Sequence, residues 1–353
     1  MTKRKIIVAV LNWGLGHASR SIPVIKALQD EGFEPVLASD GEALLLLRKE
    51  FPGLKWLELP TYRITYPRQG RLMKFHFLLK GPRILKAVIA EHKAVKRFIS
   101  SDGGVAGIIS DNRLGAFSKE VPSAYMTHQL KLFSGSTSGL TTSMHHYFIN
   151  QYDECWIPDE EGPDNLTGRM SQASGLKIPV KYLGILSRFE KRDSAEKYDL
   201  LVLLSGPEPQ RSLLEEILLK ELRAYSGEIL FVRGKIEGVT ISEKTGKMET
   251  ASYLTGKELE TALNSAKMIL SRSGYSSIMD LAALGKKAFF IPTPGQYEQE
   301  YLAFQMERKK FAPFCAQKDF TLEELKKADS FPGFTTISRR GSLAGIFALF
   351  HGK

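Results

Sequence analysis

Residues 267–301 read KMILSRSGYSSIMDLAALGKKAFFIPTPGQYEQEY, and they indicate the fold class more clearly than any other part of the chain. The apolar run 267–270 stops at an Arg-Ser-Gly turn and passes into a helical pattern, which predicts a strand, a tight turn and a helix N-terminus. The apolar run 288–291 repeats this pattern before Pro-Thr-Pro-Gly. Because the carboxyl ends of parallel strands meet at one edge of a sheet, both turns are predicted to face one crevice.

The first of these turns is a candidate anion site. Freed backbone N–H groups and the helix dipole point at a ligand there, and Gly274 permits close approach of the backbone. Ser276 and Ser277 add hydroxyl groups, so we predict a phosphate ligand. The alternative is that these serines only cap a structural helix. For Arg272 the alternative to ligand contact is a buried packing role.

Bulk composition is ordinary for a soluble globular protein, and the length suits two domains. The chain has 353 residues, of which 43% are hydrophobic and 25% are charged. No apolar run approaches the roughly 20 residues of a membrane span, and the start of the chain lacks a signal core, so a cytoplasmic location is expected. Two distant cysteines and the scarcity of clustered Asp, Glu and His lead us to expect neither a disulfide framework nor a metal site.

The positive charge is concentrated in one segment. The net charge is +10, and residues 63–97 contain ten Lys and Arg against the single acid Glu91, so they supply nine of the ten net charges. Aromatic residues interrupt this segment, which suggests contact with an anionic membrane surface or a lipid diphosphate. The alternative is a solvated amphipathic helix. No nucleic-acid-binding module accompanies the charge, so nucleic acid is not an expected partner.

A second glycine turn lies near the start of the chain. The apolar run 5–11 is followed by Asn-Trp-Gly-Leu-Gly-His and then by a helical pattern, which predicts a strand, a turn containing Gly14 and Gly16, and a helix. The turn continues into His17 and lacks the third glycine of a dinucleotide fingerprint, so NAD binding is not predicted. A histidine at a strand end can accept a proton near neutral pH. The alternative is that His17 caps a helix.

Two further strand ends carry candidate bases. The apolar run 105–110 ends at Asp111, and the run 124–126 ends just before His128. Both are predicted to lie at the same sheet edge as His17. Either side chain could act as the base itself or could orient His17, and the sequence does not rank the three.

Strand and helix patterns alternate along the whole chain, with a predicted loop at 135–143. The predicted fold class is therefore α/β, with two Rossmann-like domains facing across a cleft. We place the first domain at residues 1–188, a charged linker at 189–198 and the second domain at 199–335. A C-terminal helix within residues 336–353 is expected to return to the first domain.

This combination of turns resembles the two-domain GT-B glycosyltransferases. The closest likeness is to family 28, whose members include the N-acetylglucosaminyltransferase of the lipid-linked peptidoglycan precursor. In that family an acid eight residues after the arginine of the Arg-Ser-Gly turn holds the ribose, and Asp280 stands at this spacing where the family usually has Glu. The pair that holds the donor sugar corresponds to Gln299 and Glu300, where the family has two amides.

The resemblance also implies a diphosphate site. It assigns Arg188 and the Ser205–Gly206 turn to the diphosphate, although Pro207-Glu208-Pro209 replaces the family's small residues. An acid beside a diphosphate is unfavourable unless Glu208 points away or pairs with Arg211. The full predicted donor-binding set comprises Gly14, Gly16, Arg188, Ser205, Gly206, Arg272, Ser273, Gly274, Ser276, Ser277, Asp280, Gln296, Gln299 and Glu300.

The implied activity is transfer of a sugar from a nucleotide diphosphate sugar, expected to be UDP-linked, to an acceptor hydroxyl. A lipid-linked precursor or a cell-envelope glycan is the expected acceptor class, and the expected location is cytoplasmic or peripheral at the inner face of the membrane. No cofactor beyond the nucleotide sugar and no metal ion is expected. The alternatives are an epimerase or hydrolase on the same fold, and a non-catalytic nucleotide-sugar-binding protein.

Overall fold

The computed structural model describes residues 3–62, 73–132, 138–235, 242–254, 256–337, 343 and 345–351, with the backbone alone for 73–80, 242 and 336. The chain divides into two compact units. Unit 1 comprises Met1–Arg188 and Arg340–Lys353, and unit 2 comprises Phe189–Arg339. The predicted basic segment 63–97 falls partly outside the described residues. Of the predicted loop at 135–143, residues 135–137 lie outside the described residues, and residues 138–143 are helical, so the loop prediction is wrong for them.

Unit 1 contains a parallel sheet with the strand order β3-β2-β1-β4-β5-β6-β7. Its strands are β1 (Lys5–Val10), β2 (Glu34–Ser39), β3 (Trp56–Glu58), β4 (Val105–Asp111), β5 (Ser123–Met126), β6 (Glu154–Ile157) and β7 (Val180–Tyr182). Its helices are α1 (Gly16–Asp30), α2 (Gly41–Glu50), α3 (Met73–Asp102) and α4 (Ser138–Ile149). The central strand β1 is buried along nearly its whole length, as expected for a sheet covered by helices on both faces.

Unit 2 contains a mixed sheet with the order β10-β11-β9-β8-β12-β13. Only the β10–β11 pair at its edge is antiparallel among the described strands. The strands are β8 (Tyr198–Leu203), β9 (Ile229–Val232), β10 (Ser242–Thr245), β11 (Met248–Ala251), β12 (Ala266–Ser271) and β13 (Lys287–Phe290). The helices are α5 (Gln210–Glu221), α6 (Gly256–Asn264), α7 (Tyr275–Leu284), α8 (Tyr297–Arg308) and α9 (Leu322–Lys326).

Each sheet has a point where the strand order reverses. In unit 1 the chain proceeds outward from β1 through β2 and β3 and then returns to β4 on the other side. In unit 2 the corresponding neighbours are β8 and β12. Ligands of open α/β sheets bind outside the carboxyl ends of strands at such reversals. The predicted turns after β1, β8 and β12 all lie at these two positions.

The segment predicted to link the domains belongs to unit 2. The backbone N–H of Glu190 donates to Glu260 Oε1 at 3.0 Å, and that of Arg192 donates to Asn264 Oδ1 at 2.9 Å. Both acceptors lie on α6. Residues 189–192 are therefore attached to unit 2 by hydrogen bonds, and charged composition alone did not distinguish an attached segment from a free linker.

The end of the chain completes the core of unit 1. The described part of residues 336–353 contains a short 3-10 helix at Ile346–Phe350, and Arg340–Lys353 belong to unit 1. Phe347 and Phe350 are fully buried and make edge-on ring contacts with Trp156. A Cβ atom on Gly107 of β4 would lie 2.2 Å from Phe350 Cδ1, so only glycine fits at that position.

Candidate functional site

The reversal point of unit 1 brings His17 and Asp111 together. The turn after β1 contains Gly14 with φ of 75°, and α1 begins at Gly16, so His17 lies in the first turn of the helix. Asp111 is the last residue of β4 and pairs in register with Val10 of β1. Neighbouring strand ends thus bring two side chains into contact that are far apart in the sequence.

His17 is oriented by a carboxylate. Its Nδ1 lies 2.9 Å from Asp111 Oδ1 and 2.8 Å from Arg20 Nη2. A guanidinium can only donate, and one ring nitrogen cannot donate and accept at once. We assign the Nδ1 proton to the bond with the Asp111 carboxylate, because Arg20 has that carboxylate as its own acceptor. This tautomer leaves the lone pair of His17 on Nε2, where it can accept a proton.

Asp111 is a buried anion held by Arg20. Arg20 Nε donates to Asp111 Oδ2 at 2.7 Å, Arg20 Nη2 donates to Oδ1, and Ser21 Oγ donates to Oδ2 at 3.2 Å. Burial favours the protonated form, but the charge of Arg20 and the hydrogen bonds from Arg20 and His17 outweigh it and hold the pKa of Asp111 well below its usual range. The carboxylate therefore stays ionised at neutral pH, and we assign it the role of orienting His17.

His128 contacts the same arginine. Arg20 Nη1 lies 2.5 Å from His128 Nδ1, so the ring nitrogen accepts the bond and the proton of the neutral ring lies on Nε2. His128 is also 5% exposed. With its lone pair already used, His128 is a weaker candidate base than His17. The three candidates thus differ in the hydrogen bonds that they make.

Arg20 is the residue that the sequence interpretation missed. It connects His17, Asp111 and His128, and it is 3% exposed. A signal was present, since Arg20 lies on the same helical stripe as His17, Val24 and Leu28, where an apolar residue is expected. A charged side chain on the buried side of a helix needs an ionic or hydrogen-bonding partner. The helical pattern alone does not show which residue that partner is.

A second buried ion network lies beside this cluster. Arg113 donates to Glu91 Oε2 at 2.9 Å and also forms an ion pair with Asp40. Tyr62 and the Gly115 N–H donate to Glu91 Oε1 at 3.0 and 2.8 Å. Burial raises the pKa of Glu91 although Arg113 opposes the shift. The single acid of the basic segment is therefore buried and paired, and it fastens α3 to the carboxyl end of the sheet.

The reversal point of unit 2 exposes the predicted phosphate turns. Ser205 and Gly206 follow β8 and are exposed, and Gly206 has φ of 106°, which favours glycine. After β12, Gly274 is the N-cap of α7, so Ser276 and Ser277 lie in the first helical turn and are not caps. Asp280 follows on the same helix and is half-buried.

The Arg272 side chain is buried and hydrogen-bonded within the protein. Its guanidinium is 1% exposed and donates to the backbone oxygens of Ile291 and Pro292, both at 3.1 Å, and to Gln317 Oε1 at 2.8 Å. Burial lowers its pKa to about 10, so it remains charged at neutral pH. Arg272 therefore ties the ends of β12 and β13 together, which corresponds to the packing alternative considered from the sequence.

The predicted sugar-binding residues stabilise the start of α8. Gln299 Oε1 accepts the N–H of Thr293 at 2.8 Å, and Glu300 Oε1 accepts the N–H of Gly295 at 2.9 Å. Ser273 Oγ donates to the backbone oxygen of Gln299 at 2.8 Å, so the turn after β12 is bonded to α8. Gln296 is the N-cap of this helix.

Two other predicted contacts have protein partners. Glu208 forms an ion pair with Arg211, as the sequence required if an acid was to be tolerated beside a diphosphate. Arg211 is bonded in turn to Glu215 at 3.1 Å. Arg188 belongs to unit 1, where its Nη1 lies 3.8 Å from Glu50 Oε1.

Within the described ranges, no group of three or more His, Cys, Asp and Glu side chains could hold a metal ion. None of the helices in that part of the chain has the length and apolar character needed to cross a membrane.

Comparison with protein families matches much of the second half of the chain to a known domain. Residues 211–329 match the glycosyltransferase family 28 C-terminal domain. The chain is 29% identical over 342 residues to a Haemophilus ducreyi protein named UDP-N-acetylglucosamine--N-acetylmuramyl-(pentapeptide) pyrophosphoryl-undecaprenol N-acetylglucosamine transferase, which covers 91% of this chain and 88% of that protein. A Clostridium tetani protein of the same name is 24% identical over 309 residues, with 82% and 78% covered.

Solved structures show the same architecture. Acinetobacter baumannii MurG has a TM-score of 0.59 at 13% identity, over 99% of this chain and 98% of that one. The glycotransferase of kitacinnamycin has a TM-score of 0.66 at 14% identity, over 92% and 89%. The predicted α/β class with two sheet-containing domains and the predicted enzyme class are confirmed. The chain is a glycosyltransferase of the GT-B fold that carries a family 28 C-terminal domain.

Proposed function

We propose that this enzyme transfers a sugar, N-acetylglucosamine in the first instance, from a UDP-sugar to a hydroxyl of a lipid-linked acceptor. The observation that carries the catalytic part is the 2.9 Å contact between His17 Nδ1 and Asp111 Oδ1. The names of the relatives from Haemophilus ducreyi and Clostridium tetani support the choice of donor and acceptor.

In this proposal His17 is the general base. Its Nε2 accepts the proton of the acceptor hydroxyl while the hydroxyl oxygen attacks the anomeric carbon and the bond to the diphosphate breaks. The imidazolium that forms is stabilised by the adjacent Asp111 carboxylate. Arg20 keeps that carboxylate ionised, and it acts on the reaction only through Asp111.

Unit 2 binds the donor in this proposal. The N-terminus of α7 and the Gly206 turn offer backbone N–H groups to the leaving diphosphate, and Ser276 and Ser277 add hydroxyl donors. Such groups stabilise the developing charge without a bound metal ion. Asp280 is placed on the ribose hydroxyls and Gln299 on the sugar.

A donor screen tests the proposal. Isothermal titration calorimetry with UDP, GDP and CDP, followed by turnover of UDP-sugars with polyprenyl diphosphate glycans, is expected to favour UDP and UDP-N-acetylglucosamine. Asp280→Ala is expected to weaken UDP binding about tenfold, because a charge-assisted hydrogen bond is lost. Unchanged affinity would remove Asp280 from the ribose. Activity that disappears in EDTA and returns with Mn²⁺ would contradict the metal-independent mechanism.

We also propose that the exposed face of α3 rests on an anionic membrane. Leu85 and Ile89 are 50% and 49% exposed and lie one helical turn apart. Arg83, Lys86 and Lys93 are exposed around them. Since Glu91 is buried with Arg113, it does not offset these charges. Apolar residues among cations are typical of helices that lie at a membrane surface.

The neighbouring helix α4 also exposes apolar side chains. Phe148 of α4 packs in the same cluster as Ile84 of α3. Leu140, Met144 and Tyr147 are 68%, 57% and 65% exposed at positions that share one side of α4. A bilayer would cover both sets of apolar side chains, and it would place a lipid-linked acceptor close to unit 1.

Vesicle binding tests the membrane proposal. Replacing Arg83, Lys86 and Lys93 with Ser is expected to weaken cosedimentation with phosphatidylglycerol vesicles about 100-fold at low salt, at about 1 kcal/mol for each cation. A control variant with the exposed Lys26, Lys49 and Lys318 changed to Ser loses the same charge and is expected to bind normally. An equal loss of vesicle binding in both variants would indicate a nonspecific attraction between the positive protein and the anionic vesicles.

A further inference from the structure

Thr293 has a buried hydroxyl without a partner. The residue lies just beyond β13 and is 2% exposed, and its Oγ1 forms no hydrogen bond among the residues that the structure describes. Its backbone N–H is bonded to Gln299 Oε1 at 2.8 Å, so the main chain of Thr293 is held in place. Buried hydroxyl groups are nearly always paired, and an unpaired one costs stability.

This hydroxyl borders the Gly206 turn. A Cβ atom placed on Gly206 would lie 3.6 Å from Thr293 Oγ1, and apart from the two chain neighbours of Gly206 no other described residue lies within 4 Å of it. The space beside Gly206 is therefore open, and the Thr293 hydroxyl forms its wall. The backbone φ of 106° excludes most side chains at residue 206, which keeps that space free.

The surroundings of this space favour an anion. Arg272 donates to the carbonyl oxygen of Pro292, the residue directly before Thr293, and the bonds that its guanidinium makes within the described chain go to uncharged oxygens. A buried cation paired only with neutral groups attracts negative charge to its vicinity. An unpaired donor beside such a cation is suited to a phosphate oxygen, which is a strong acceptor.

We propose that Thr293 Oγ1 donates a hydrogen bond to the diphosphate of a nucleoside diphosphate bound at the Gly206 turn. This inference rests on the proposed function and adds a diphosphate contact that the sequence interpretation did not include. It also explains why an unpaired hydroxyl is tolerated, since the ligand supplies its acceptor. The contact would be made with UDP as well as with the intact donor.

Calorimetric titration of UDP and of uridine separates this contact from other effects. Thr293→Val has nearly the same shape but lacks the hydroxyl, and it is expected to lower UDP affinity at least tenfold while leaving uridine affinity unchanged. Thr293→Ser retains the hydroxyl and is expected to bind UDP like the wild type. Thr261→Val is the matched control, because its hydroxyl bonds within α6 to the backbone oxygen of Lys257.

Thermal unfolding of the free protein provides the second measurement. Because Thr293 Oγ1 has no partner in the free protein, Thr293→Val is expected to unfold at the same temperature as the wild type or higher. A lower unfolding temperature would indicate a structural hydroxyl and overturn the inference, as would equal loss of UDP and uridine binding. Unchanged UDP affinity in both Thr293→Val and Thr293→Ala would overturn it and leave the proposed function intact. Failure of the wild type to bind UDP would overturn both.

Discussion

Replacing His17 with alanine is expected to lower kcat by about 10²–10⁴-fold and to leave donor affinity unchanged. The loss follows from the geometry, because Asp111 holds the Nδ1 proton and leaves Nε2 as the basic nitrogen. Single-turnover kinetics with a saturating UDP-sugar measure the chemical step, and calorimetry with UDP measures donor binding separately.

Two companion variants test the ranking of the bases. Asp111→Asn offers an amide N–H where His17 Nδ1 needs an acceptor, so it is expected to reverse the tautomer and to lower kcat strongly. His128→Gln provides an amide oxygen that can accept the bond from Arg20 Nη1, and it is expected to retain most of the activity. A larger loss in His128→Gln than in His17→Ala would assign the base to His128.

Replacing Arg113 with methionine is expected to destabilise unit 1 by about 3–5 kcal/mol at neutral pH. The variant leaves two carboxylates in the interior without their cation, since the side chains of Asp40 and Glu91 are 9% and 0% exposed. Urea unfolding followed by tryptophan fluorescence measures this unit alone, because Trp13, Trp56 and Trp156 all belong to unit 1. Arg272→Met in unit 2 is the matched control, and it is expected to leave this transition unchanged.

The pH dependence of the stability lost in Arg113→Met tests whether unpaired charge causes the loss. Burial already raises the pKa of Glu91 in the wild type, and removal of Arg113 is expected to raise it further. A carboxyl whose pKa is higher in the folded state binds more protons there, so stability increases as the pH falls through that raised pKa towards the unfolded-state value. The deficit of Arg113→Met is therefore expected to be smaller at pH 5 than at pH 8. A constant deficit would point to lost packing instead of unpaired charge.

The parts of the site that follow from local pattern could be predicted from the sequence. Strand ends can be identified from the glycines before α1 and α7 and from the buried apolar runs that precede them. In a parallel sheet the carboxyl ends of neighbouring strands lie at one edge. His17 and Asp111 were nominated on this ground, and the structure places them in hydrogen-bond contact.

The sequence pattern does not predict which side chains become hydrogen-bond or ion-pair partners when they lie far apart in the sequence. Arg20 bonds to residues 91 and 108 positions away, and its burial depends on strand neighbours that are known only once the sheet is assembled. The sequence shows Glu91 only as the single acid of the basic segment, and its ion pair with Arg113, 22 positions away, follows from the folded structure. Similarly, nothing in an Arg-Ser-Gly turn shows whether Arg272 faces a ligand or the interior.

The assignment of Phe347 and Phe350 to the core of unit 1 has a consequence for synthesis on the ribosome. These rings emerge only after all of unit 2 has been translated, and the intervening residues 189–345 require about 8–30 s at roughly 5–20 residues per second. During that interval Phe33 and Trp156 lack their aromatic neighbours, so the nascent first unit exposes apolar surface. Unit 2 can finish folding while unit 1 still awaits its last residues, and chaperones that hold apolar segments would meet this chain in that interval.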